Sequence, residues 1–222
     1  MKRFPLFILV SLLLCPILLT SCAHKQPLYR VVDGTRTYEI YGNARTRRIC
    51  VSENGVTVWE EKIKAEKNVG EQNGTYGFAV MDMNFDGLTD LKIALSADGE
   101  KLTEVCYLQD ANTGQYKKSE SLSQLYTVGV VPDQQLVLSY LGITTDDSNG
   151  STVETVVSYR WQNDSLIPYR RLTVTYYPSQ SIYCYGVSDY LEESRSFDDP
   201  SEQWLSPEKF AQTDWSFFYY FR

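Results

Sequence analysis

Histidine is nearly missing from this chain, whose 222 residues hold one, His24. Without a second imidazole there is no Ser-His or Cys-His nucleophilic pair and no His-rich zinc site. A Gly-x-Ser-x-Gly elbow and a phosphate-cradling Gly loop are also missing, which removes two common hydrolase and nucleotide-binding designs. Positive charge is short as well: 21 Lys and Arg stand against 28 Asp and Glu, for a net charge of −7. That leaves no cationic footprint for phosphate contacts, so nucleic acid is not an expected partner. The acidity suits a basic partner, cation collection or plain solubility equally well. Neither an internal repeat nor a linker divides the chain. The paired acids Asp146-Asp147 and Glu192-Glu193 sit among polar residues, the setting of a solvated surface more often than of an acid/base couple. The expectation is a protein that is not an enzyme.

What is present begins with a basic start, Met1-Lys2-Arg3, and an apolar run over residues 6–19 broken by Pro16. This is the layout of a secretory signal, too short for a comfortable membrane-spanning helix. It ends in Leu19-Thr20-Ser21-Cys22, which resembles the lipobox of bacterial lipoproteins. Small residues there admit the peptide to the signal peptidase, and the Cys22 thiol carries the lipid. The resemblance implies that Cys22 becomes the mature N-terminus and bears several acyl chains, which anchor firmly where one holds only marginally. The expected layout is a signal peptide over 1–21, a lipidated tether over 22–29 and one β domain over 30–222. Its expected place is the bacterial cell envelope, extracytoplasmic and lipid-anchored, with the membrane as partner through Cys22. Losing Lys2 and Arg3 with the signal takes the net charge from −7 to −9. Cys50, Cys106 and Cys184 remain, each in a strand-like segment and none at metal-site spacing. Buried thiols suit them, with one disulfide open as an alternative.

The body of the chain reads as short strands parted by turn chemistry. Residues 38–41 and 47–52 precede Glu53-Asn54-Gly55, an Asn-Gly hairpin signal that 56–63 answers. Further strands are expected at 78–81, 91–95, 104–109, 135–141, 152–161, 166–177 and 181–191, with a short helix at 121–126. Along 152–161, Val153, Thr155, Val157, Tyr159 and Trp161 share one face while Glu154, Ser158 and Arg160 share the other, as in a sheet with one wet side. A last helix starts at Ser206-Pro207-Glu208. An aromatic tail over 215–221 is expected to pack on the domain. These signals imply one all-β domain, an antiparallel sandwich or a propeller-like sheet.

One stretch carries most of the chemistry: Met81-Asp82-Met83-Asn84-Phe85-Asp86-Gly87-Leu88-Thr89-Asp90-Leu91. It sets oxygen side chains at alternate positions, then a Gly where a sharp turn is needed, then another carboxylate. Hard cations such as Ca²⁺ want six to eight oxygens, and a tight acidic loop converges several on one point. The expected calcium ligands are Asp82, Asn84, Asp86, the Leu88 carbonyl and Asp90; the other reading is an acidic surface turn that binds nothing. A helix-loop-helix hand needs a Glu at position twelve, which here is Ile93. The residues on either side alternate as strands do, so the loop is expected to be strand-loop-strand.

Tyrosine is abundant, 17 residues in all. Tyr suits strands, and it also serves as a rigid amphipathic contact on binding surfaces. If a binding face exists, Tyr176, Ser181, Tyr183 and Tyr185 around the turn Pro178-Ser179-Gln180-Ser181 form the first candidate. With the acidic loop, the turn from Asp110 to Gly114 and Tyr159-Arg160-Trp161-Gln162-Asn163-Asp164-Ser165-Leu166 in view, residues 78–169 resemble small bacterial lipoproteins. These are similar to periplasmic calcium-binding β proteins related to invertebrate-type lysozyme inhibitors. The resemblance implies an all-β fold, a structural calcium and inhibition of a peptidoglycan-cleaving enzyme. Such inhibitors push a Ser- and Tyr-bearing loop into the lysozyme cleft, a part that Ser181 and Tyr183 would take here. Two functions follow: a calcium-locked binding domain on a lipid anchor, or an inhibitor or immunity protein against a lysozyme-like hydrolase.

Overall fold

In this computed structural model the described residues are 26–43, 45–66, 69, 75, 77–199, 201–203, 205–213 and 216. Residues 1–25, with the expected signal segment, Cys22 and His24, and most of the aromatic tail lie outside them. Among the described residues, no helix is long and apolar enough to cross a membrane.

Antiparallel pairing accounts for nearly all of the regular structure. The first sheet is a meander of β1 (Tyr29–Asp33), β2 (Arg36–Gly42), β3 (Thr46–Glu53) and β4 (Val56–Lys64). Its β3–β4 hairpin turns on Asn54 and Gly55, at φ 49° and 80°, the two positive angles a tight primed turn requires. The second sheet repeats the pattern with β5 (Phe78–Met81), β6 (Asp90–Asp98), β7 (Lys101–Gln109) and β8 (Tyr116–Lys118). In the third, the path runs from β9 (Val128–Val131) through β10 (Leu136–Thr145), β11 (Thr152–Gln162), β12 (Ser165–Tyr177) and β13 (Ile182–Leu191) to β14 (Ser196–Phe197). Strand β15 (Ser201–Gln203) pairs with β13 off that path. The chain is an all-β antiparallel protein with a short C-terminal helix.

Core packing shows how the sheets are arranged. Tyr38, Ile40, Ile49 and Val51 of the first sheet interlock with Phe78, Leu91, Ile93, Val105 and Tyr107 of the second. Because side chains alternate along a strand, Cys106 and Leu108 point the other way. They meet Val128, Val137, Tyr159 and Trp161 of the third sheet, along with Met83, Leu122 and Leu125. The second sheet is therefore covered on both faces, so the polar residues of β6 and β7 that turn inward leave water along with their apolar neighbours, Glu104 buried and Lys92 half-buried. On the far face of the third sheet, Leu138, Tyr140, Val156, Leu172, Val174 and Tyr185 are covered by Phe210.

Several expectations change. Tyr29, assigned to the tether, is the first residue of β1, and Leu28 N–H already donates to the Ile40 carbonyl. The helix expected at 121–126 is one turn, α1 (Glu120–Ser123), started by Ser119, whose hydroxyl accepts from Leu122 N–H. The wet face expected on β11 is wet only in part: Arg160 is exposed and Glu154 half-buried, while Ser158 and Val156 between them are buried, Val156 in the cluster that the segment carrying Phe210 completes. That segment is α2 (Pro207–Phe210), beginning where Ser206-Pro207 placed it. Cys50, Cys106 and Cys184 are buried with no disulfide between them, and burial pushes the Cys106 thiol up, out of reactive range.

A sheet covered on both sides must satisfy every polar group it turns inward. Arg47 of β3, fully buried, donates to the carbonyls of Ala94 and Val69 and so ties the first sheet to the second. On the opposite side Lys92 pairs with Glu104 at 2.9 Å, and the two engage the Val128 carbonyl and amide of the third sheet. Lys92→Met leaves the Glu104 carboxylate, 1% exposed, without its cation and should cost about 3 kcal/mol in urea unfolding. Lys92→Met with Glu104→Gln, which removes the orphaned charge, should be more stable than the single variant. The reverse order contradicts this account of the pair.

Candidate functional site

The acidic stretch spans the connection between β5 and β6, so it is strand-loop-strand as expected. Its shape comes from side-chain oxygens capturing backbone amides. Asp82 accepts from Asp86 N–H at 3.2 Å and Gly87 N–H at 2.8 Å. Asp86 accepts from Leu88 N–H at 2.8 Å and from the Asn84 side-chain amide at 2.9 Å. These Asx-type bonds substitute for the ladder that the loop lacks. The chain reverses through Phe85 and Gly87, at φ 62° and 83°. The strain at Phe85 is tolerated because its ring packs with Met83 and Trp161 in the core shared with the third sheet.

Asp90 holds the loop closed from below. It is fully buried, and its two oxygens accept Met83 N–H at 2.7 Å and Gln109 N–H at 2.9 Å. Burial pushes its carboxyl from 3.8 up to about 7; the two amide bonds oppose that, and the nearby Asp86 and Asp82 carboxylates add to it. Asn84 Oδ1 is buried and accepts no hydrogen bond, an open acceptor beside the carboxylates. The chemistry of this set is all oxygen and strongly anionic, which suits a hard cation and not a soft one. Among the described residues, no group of three or more His, Cys, Asp or Glu side chains is gathered as a metal cluster. The ion reading therefore rests on Asn84 and the backbone as well as on the acids.

Trp161 is a part of this site that the pattern of carboxylates could not point to. Its indole N–H donates to the Met83 carbonyl at 2.8 Å from 78 residues away in sequence, pinning the loop to the third sheet. The only trace of it in sequence is its position just ahead of the Asn163-Asp164 turn.

Elsewhere the expected groups separate. Tyr176 and Tyr183 face each other across β12 and β13 with ring centroids 4.8 Å apart, and Tyr183 is 36% exposed. Ser181 sits beside them, exposed, at φ 55°. Tyr185 does not belong to this face: it is 3% exposed and stacks on Phe210 at 4.2 Å. Asp146-Asp147 and Glu192-Glu193 lie in exposed turns. Asp146 is occupied in capping Ser148 N–H and hydroxyl.

No protein-family model and no curated protein matches this chain. Among solved structures, a Xanthomonas protein related to the type IV secretion system is similar at TM-score 0.51 with 12% identity, covering 77% of this chain and 91% of that one. A Bacteroides fragilis protein of unknown function reaches TM-score 0.28 with 18% identity, over 63% of this chain and 78% of that one. At this identity the first shows a shared fold and nothing more.

A carboxyl raised on folding favours the protonated folded state. Below about pH 4 both states hold the proton and Asp90 has no effect; above about pH 7 both have lost it and the folded state bears the full penalty. Stability in EGTA should therefore fall as pH rises through that window. The melting temperature should drop between pH 5 and pH 8, and Asp90→Asn should narrow the drop. An equal drop in the variant would assign it to other groups.

Proposed function

We propose that this chain is an exported lipoprotein, held at the bacterial envelope through Cys22, whose β domain is locked by Ca²⁺ and serves for binding and not catalysis. The observation that carries the reading is the β5–β6 loop, where the Asp82 and Asp86 carboxylates are near enough to act on Asp90 and Asn84 Oδ1 is buried without a hydrogen-bond partner. Asp82, Asn84, Asp86, the Leu88 carbonyl and Asp90 would hold the ion. When bound, Ca²⁺ supplies positive charge where Asp82, Asp86 and Asp90 repel one another. The chain's own residues do the remaining work. Backbone amides orient the Asp82 and Asp86 oxygens, and each Asp90 oxygen keeps a lone pair beyond the one its amide takes. Paired acids placed in exposed turns and the lack of any second imidazole support a non-catalytic role.

An ion that binds only the folded chain stabilises it by mass action, roughly 3 kcal/mol at a hundredfold excess over its Kd. EGTA should lower the melting temperature of the wild type, and Asp86→Ala should lower it and abolish the response. A variant that still responds to EGTA as the wild type does removes the assignment.

A second reading, inhibition of or immunity to a lysozyme-like hydrolase, is favoured by the β12–β13 turn. There Ser181 is exposed at a left-handed backbone angle next to a braced Tyr176–Tyr183 pair, a shape fit to enter a cleft. An acidic chain also suits a basic enzyme. Titrating the protein into basic lysozymes should suppress lysis, and Tyr183→Ala should relieve the suppression. Undiminished lysis throughout the panel argues against this reading.

A further inference from the structure

Trp161 stands between two clefts. On one side a space of about 480 Å³ opens between Asn84, the β7–β8 hairpin and Asp164 of the β11–β12 turn. On the other, about 380 Å³ lies beside Phe85, the Gln134–Gln135 turn and Arg160. Asn84 and Trp161 line both, so the two spaces adjoin across one indole and form a groove.

The walls narrow the chemistry of what fits. The Trp161 N–H is already spent on Met83, so the half-buried ring offers the groove an immobilised carbon surface and no free donor. Lys117 is paired with Asp110 at 2.6 Å and Lys118 with Glu120 at 2.9 Å, so the cations of the larger cleft are neutralised by neighbours. Asp164, exposed in its turn, adds a carboxylate at the rim. In the larger cleft an anionic ligand therefore finds little to attract it. The edge strand here, β8, has three residues, too short to template an added peptide strand. What remains is an aromatic platform with a carboxylate at Asp164 on one side and, on the other, the Gln134–Gln135 turn beside Arg160, whose guanidinium lies over the Tyr169 ring at 3.7 Å. A sugar ring matches that set: its C–H face lies on an aromatic, and its hydroxyls donate to and accept from planar polar groups. Each cleft is within the size range of small-ligand sites.

We propose that this groove binds a neutral linear oligosaccharide, with one ring on Trp161 and its neighbours in the clefts to either side. The proposal names a ligand for the binding domain described above and rests on that non-catalytic reading. The test uses the full-length chain in Ca²⁺ and in a detergent without a sugar headgroup. Chitotriose, cellotriose and maltotriose are titrated by calorimetry and by saturation-transfer NMR. At least one should bind, with tenfold or greater loss in Trp161→Ala and about fivefold loss in Asp164→Asn. Asn tolerates the left-handed angle at position 164 (φ 62°), so that variant should keep the wild-type melting temperature and remain informative if Trp161→Ala fails to fold. No binding of any trisaccharide, or binding unchanged in Asp164→Asn and in a folded Trp161→Ala, overturns the proposal. The EGTA response of the same samples separates the two readings: a chain that responds to EGTA but ignores sugars sinks only the groove. Cleavage of a bound sugar upholds the groove and overturns the non-catalytic role.

Discussion

The second sheet is covered on both faces, and most of the structure follows from that constraint. Apolar residues fill its two sides, so each polar group it turns inward needs a partner from a neighbouring sheet. Toward the first sheet the partner comes from Arg47, whose guanidinium reaches the Ala94 carbonyl. Toward the third, Lys92 and Glu104 neutralise each other and engage both polar groups of Val128. Such contacts add little net stability over a well-packed apolar replacement. Any slide of one sheet on another would strand one of these charges.

The same constraint explains what could be read from the residues. The β3–β4 hairpin was legible because Asn54-Gly55 needs no tertiary context to turn. Strands β6, β7, β11, β12 and β13 were legible because they are long and β-rich. Strands β1, β8 and β9 were not: at three to five residues each carries little alternation of its own, and pairing with the adjoining strands β2, β7 and β10 sets them in place. Ser158 shows the limit from the other side. Alternation placed it correctly opposite Val157, yet polarity suggested water, whereas the residue is buried and its hydroxyl donates to the Arg170 carbonyl of β12. What covers a sheet is a long-range fact that a strand's own residues do not carry.

At the candidate site the residue types were readable and their division of labour was not. Asp82, Asn84 and Asp86 stand in the half-exposed or exposed turn where a spacing argument puts them. Asp90, grouped with them as a fourth ligand, is also a structural residue, since it closes the loop on Met83 and fastens it to Gln109 of β7. That second duty depends on where β7 runs. The aromatic face was half legible: Tyr176 and Tyr183 pair at the surface, while Tyr185, two residues along on the same side of the strand, falls under Phe210.

Trp161 joins these strands of the argument. Its indole reaches the Met83 carbonyl, and Met83 N–H is one of the two amides that Asp90 holds. The aromatic platform of the groove is therefore two hydrogen bonds from the carboxylate most perturbed by burial and by its acidic neighbours. Any change that relaxes the repulsion among Asp82, Asp86 and Asp90 steadies the backbone at Met83 and, through it, the plane of the indole. A cation bound at the loop and the aromatic surface would in this way act as one mechanical unit. Holding the platform in advance spares a ligand the cost of ordering it, which gives a loop of this kind a use in binding even though the ion would touch no ligand itself.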